Sequence, residues 1–149
     1  MAFKFSLESV LKYRKRLEED AQREFAEAQA KVDACLRKIE EMYSRLDEVR
    51  EEIQQAQKVG SGAMMEQIRE MEHFMAGHKI RIETLRREAR DLLMLAEEKQ
   101  EALIAAARDK KMLVKLKEKK KREYQEWRNG VEAKELDDMT MVRQAWGKK

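Results

Sequence analysis

Apolar residues recur along this chain at alternating steps of four and three. One seam runs Ala28, Val32, Cys35, Ile39, Met42, Leu46, Val49, Ile53 and Ala56, with all nine positions apolar. A second starts at Ile68 and passes through Met71, Met75, Ile82, Leu85, Ala89, Leu92, Ala96, Leu103, Ala106 and Leu113. It then reaches Tyr124, Trp127, Val131, Met141 and Ala145. A mean spacing of 3.5 residues marks helices that supercoil against a partner helix. The predicted fold class is all-α: two long helices in an antiparallel coiled-coil hairpin, the second longer, with a C-terminal overhang.

Local signals place the elements within one coiled-coil domain over residues 1–149. Helix one is expected over about 6–58, with Ser6 as N-cap and Phe5 and Val10 as its hydrophobic staple. Its early seam reads Phe3, Leu7, Val10, Arg14, Leu17, Ala21, Phe25, and two successive steps of four there predict a stutter near Ala21. The turn is Val59-Gly60-Ser61-Gly62-Ala63, with Gly60 suited to a left-handed C′ position and Ser61 or Gly62 to the next cap. Helix two is expected over about 64–145. Gly77 and Asn129-Gly130 weaken it locally, and Asn-Gly is a candidate kink. Folding about the turn brings Ala28 near Met94 and Phe3 near Lys119. Residues beyond about Arg122 then overhang by roughly 35 Å if helical.

Composition removes the main objection, which is disorder. Asp, Glu, Lys and Arg make up 42% of the 149 residues, and proline is absent. At 42% hydrophobic residues, random placement would fill about four of nine seam positions rather than all of them. The single cysteine, Cys35, falls on the seam and reads as a small core residue in a reducing compartment. No apolar run is long enough to span a membrane, and the start lacks the apolar core of a secretory signal. A cytoplasmic location is expected.

Charge is distributed unevenly although the net is only +3. Residues 108–122 carry a net of +7 and residues 1–16 a net of +4. The hairpin sets the two stretches side by side, so a rod with a basic terminal end and an acidic body is expected. The basic run is either a solvated face or a contact surface for an acidic partner. Nucleic acid is one such partner, and an anionic membrane surface another. The overhang could fray, pair with a second copy, or anchor a partner. Tyr124 and Trp127 on successive seam positions argue against fraying.

Chemistry of the enzymatic kind finds no foothold. His73 and His78 lie five apart on a helix and do not share a face, and Cys35 is distant from both. There is no phosphate-cradling glycine loop, nucleophile elbow or cysteine pair. No catalytic, cofactor or metal residues are assigned, and no small-molecule substrate is expected. Met64, Met65, Phe74 and Met75 form a lesser cluster beside the turn.

Three stretches carry a family resemblance. Phe5-Ser6-Leu7-Glu8-Ser9-Val10-Leu11, followed by Arg14, Glu18, Glu19 and Ala21, forms the opening. The segment from Lys111-Met112-Leu113-Val114-Lys115-Leu116 through Lys117-Glu118-Lys119-Lys120-Lys121-Arg122-Glu123-Tyr124 is the most recognisable. Glu132-Ala133-Lys134-Glu135-Leu136-Asp137-Asp138 closes the chain, with aspartate where the family more often has glutamate. Across its length the chain resembles the flagellar export protein FliJ family, coiled-coil components of the flagellar type III secretion apparatus.

That resemblance implies a non-enzymatic stalk and adaptor similar to the rotor stalk of rotary ATPases. It implies three partners: an export ATPase ring entered by the terminal coil end, a membrane export gate, and export chaperones. Carried onto this chain, the ring contact is expected at Arg14, Lys110, Lys117, Lys120, Lys121, Arg122, Tyr124, Trp127 and Val131. The gate contact is expected around Met42, Tyr43, Phe74, Met75 and His78. The expected location is then peripheral, on the cytoplasmic face of the inner membrane at the flagellar base. The alternatives are the equivalent stalk of a virulence-type injector and a basic coiled-coil nucleic-acid binder.

Overall fold

Heptad spacing without proline leaves the backbone free to stay helical over long distances. A computed structural model describes residues 2–60 and 62–147, apart from the side chains of residues 59 and 62–64. Helix α1 spans Glu8–Val59 and helix α2 spans Gly62–Gly147, 52 and 86 residues long. They form an antiparallel helical hairpin. α2 runs without interruption through Gly77 and Asn129-Gly130.

The helix ends follow from backbone hydrogen bonding. α1 starts later than the expected Ser6 cap: Glu8 N–H donates to the Phe5 carbonyl (3.2 Å), and Leu11 N–H to that of Leu7 (2.9 Å). Val10 lies exposed. At the other end Gly60 takes φ +57° and donates to the Ala56 carbonyl at 3.4 Å. That is the left-handed terminator in which glycine meets no Cβ penalty. The expected cap at Ser61 and the Met64 side chain lie outside what is described.

Two compact units divide the chain, residues 20–103 and residues 1–19 with 104–149. The first is an apolar coil. It holds eleven of the twelve buried hydrophobic residues among those described. Ala28, Val32 and Ala96 pack together with Leu92 beside them. Cys35, Ile39, Leu46, Ile82 and Ala89 follow, flanked by Met42, Met75, Leu85 and Leu92. Val49, Ile53 and Ile68 close the series with Ala56 and Met71. The register differs slightly from expectation: Ala96 is the partner of Ala28, while Met94 points outward at 63% exposure. Cys35 is a core residue whose Sγ donates to the Leu85 carbonyl (3.4 Å).

The second unit is built differently. Leu113 is its one buried hydrophobic residue among those described. Leu7, Val10 and Leu17, expected on the seam, are largely exposed. Leu11, Arg14 and Glu18 are half-buried instead. Those positions continue the three–four spacing of Ala21, Phe25 and Ala28, so the expected stutter is absent. The heptad phase persists, and charged side chains occupy it.

Leu46 is 2% exposed and Leu36 is 47% exposed, which sets up a direct comparison on one helix. Leu46→Ala is expected to lower unfolding free energy by about 2 kcal/mol or more. Leu36→Ala should stay within about 0.5 kcal/mol. Urea unfolding followed by far-UV circular dichroism reads both.

Candidate functional sites

In the terminal unit, charged residues replace the apolar layers and answer one another. Lys117 Nζ meets Glu8 Oε2 at 2.8 Å, and Lys110 Nζ meets Glu18 Oε2 at 3.1 Å. Arg14 Nη1 donates to the Asp109 carbonyl at 3.0 Å. Glu18 is the most covered of these side chains at 18% exposure, with Lys110 at 33%. Lysine suits such positions because its aliphatic stem covers the seam while the ammonium reaches the edge. The half-buried ion pairs lie between the exposed regime, where a pair contributes little, and the buried one, where breaking it is costly.

An aromatic contact closes this unit. Phe3 and Tyr124 pack at 5.7 Å between ring centroids, and Tyr124 and Trp127 at 6.0 Å. The expected partner of Phe3 was Lys119. The same displacement is present in the helical part of the unit, where Glu8 meets Lys117 and Glu18 meets Lys110, each further along α2 than folding about the turn predicts. Tyr124 belongs to the closed coil and not to the overhang.

The sequence-predicted contact residues thus fall into two sets. Arg14, Lys110, Lys117 and Tyr124 are engaged within the chain. Lys121, Arg122, Trp127 and Val131 lie exposed, as does Lys120, which meets Glu123 of its own helix at 3.7 Å. The whole unit carries +8 in formal charge, against −5 for the other. Beyond Tyr124, every described residue of α2 is exposed, including Trp127 at 63% and Trp146 at 80%. Hydrophobic periodicity could not have revealed Glu8 and Glu18 as seam residues. Their only sequence signal is the phase carried back from Ala28.

In the apolar unit the second predicted set also divides. Met42 and Met75 face the core, whereas Tyr43 and Phe74 are exposed. Phe74 stacks on His78 with centroids 4.7 Å apart, and the Arg45 guanidinium lies 5.9 Å from the Phe74 ring centroid. Tyr43 borders a surface depression lined also by Leu36, Arg86, Arg90 and Leu93. Both are exposed faces where aromatic side chains lie beside arginines.

Among the described residues no group of three or more His, Cys, Asp or Glu side chains could hold a metal ion. No helix there is long and apolar enough to cross a membrane. Fold and surfaces define an antiparallel coiled-coil protein whose working parts are helix faces. The chain belongs to the flagellar FliJ protein family, whose sequence profile matches residues 3–149. Neither the curated proteins nor the solved structures offer a match to it. The family is a structural and adaptor family, and membership supports assignment as a flagellar export stalk protein.

The half-buried Lys110–Glu18 pair is expected to show a coupling of about 1 kcal/mol in a double-mutant cycle with alanine. The exposed Arg23–Asp20 pair should show about 0.3 kcal/mol. Hydrogen exchange is the measurement: amides of residues 8–19 read the first coupling in the terminal unit, and those of residues 20–30 read the second in the apolar unit.

Proposed function

We propose that this protein is a mechanical stalk and adaptor of flagellar protein export, docking its terminal coil end into the central hole of the export ATPase ring. The observation that carries this reading is the neighbourhood of two unlike surfaces in one unit. The exposed basic run Lys119–Arg122 is followed within three turns by exposed Trp127 and Val131 on the helix beyond the coil. A basic collar draws an acidic or polar channel at long range, and aromatic anchors beyond it supply short-range burial. Lys110, Lys117 and Arg14 serve this by holding the collar together.

A contact with the membrane export gate is proposed on the other unit, centred on Tyr43 and Phe74, with His78 and Met75 supporting the Phe74 side. Export chaperones complete the partner set. The protein would then lie on the cytoplasmic face of the inner membrane at the flagellar base, held there through its partners. Family membership favours this system over a virulence-type injector.

The test uses charge reversal at Lys120, Lys121 and Arg122, which leaves the Lys117–Glu8 pair intact. Helicity should be unchanged, and affinity for the ATPase ring should fall tenfold or more, about 1.4 kcal/mol. Wild-type binding should itself weaken as salt rises. Binding that ignores both salt and charge reversal overturns the reading. Deletion of residues 123–149 should likewise abolish ring binding, whereas a chaperone gripping clients at the turn would keep its activity.

A further inference from the structure

Past Tyr124, helix α2 has lost α1 but not its heptad. The seam continues as Trp127, Val131, Lys134, Asp138, Met141 and Ala145, at steps of four, three, four, three and four. All six are exposed. This series is symmetric about residue 136 in a specific chemical sense. Laid antiparallel on a second copy of itself, it opposes Trp127 to Ala145, Val131 to Met141 and Lys134 to Asp138, and each layer then recurs on the other side of the axis.

We infer that these helices pair antiparallel between two copies of the chain, forming a two-fold dimer through residues 127–145. Three features support a second copy as the occupant. The outer layers match the largest side chain with the smallest, as interdigitating seams require. The central layers match a cation with an anion twice over, once on each side of the two-fold axis. The contact is isologous, so it closes at two copies. A parallel pairing would set Lys134 against Lys134 and Asp138 against Asp138, and buried like charges in register select against it. Glu135 and Asp137 flank the axis and meet their own copies, which holds the pair to weak, reversible association.

The inference stands apart from ring docking, since it rests on this helix alone and would survive if the ring contact failed. Where both hold, dimer and ring contact use the same strip and exclude each other.

Sedimentation velocity of the full chain over a concentration series tests it without any ring component present. Wild type should pass from monomer to dimer as concentration rises. Lys134→Asp and Asp138→Lys should each weaken the dimer about tenfold or more, because each puts like charges in both central layers. Mixing the two single variants should restore a heterodimer. The exchanged double variant, Lys134→Asp with Asp138→Lys, should dimerise as wild type does. A parallel pair opposes like charges at both positions in wild type and in either single variant, so the single variants would not weaken it. Circular dichroism of each variant should match wild type, since the substituted sites touch no part of α1. A chain that stays monomeric throughout overturns the inference. So does a dimer indifferent to the single variants, or one that the exchange does not rescue.

Discussion

Everything in this fold depends on one strip of side chains, the line along which α1 and α2 face each other. A two-helix interface has no third layer behind it, so each seam residue is covered only by its opposite numbers and its own neighbours. Burial below 10% exposure at Leu46, Val49, Ile82 and Ala96 is achieved by strict phase, because a residue off the seam has nothing to cover it. Leu36 and Met94 illustrate the point: equally apolar, they sit outside the strip and remain in water. Small residues at Ala28, Ala89 and Ala96 let the backbones approach, and larger ones between them fill the resulting spaces.

The same phase is kept in the terminal unit with a different chemistry. Glu8, Arg14, Glu18, Lys110 and Lys117 stand where apolar residues would give greater stability. Each is satisfied by a partner across the strip or by a carbonyl. The ion pairs also reduce the self-repulsion of a unit with +8 formal charge. Ionic layers specify which residues oppose one another more sharply than apolar ones do, at some expense in stability.

Beyond the Phe3–Tyr124 contact the constraint is lifted, and α2 presents an apolar strip to solvent. Long helices gain most of their stability from a packed face, and the exposed series of Trp127, Val131 and Met141 is the surface that we propose another molecule completes. The collar of lysines beside it and the self-complementary charges along it describe two ways of completing it. Membership of the FliJ family places that surface in the setting of flagellar export.

Much of this was legible in the chain itself. The four–three spacing determined two helices, the glycine-rich stretch at Gly60-Ser61-Gly62 determined where the chain reverses, and the distribution of lysines determined which end is basic. These are local or periodic properties, and local chemistry enforces them. What only the tertiary structure decided is where hydrophobicity stops being informative. It put Glu18 rather than Leu17 on the seam, because a helix can present just one stripe to its partner, and Leu11, Arg14 and Glu18 share that stripe while Leu17 does not. It moved Phe3 from Lys119 to Tyr124, a displacement that Glu8–Lys117 and Glu18–Lys110 share. It thereby drew the boundary between the closed coil and the free helix at Tyr124, a position set by contact between residues far apart in the chain.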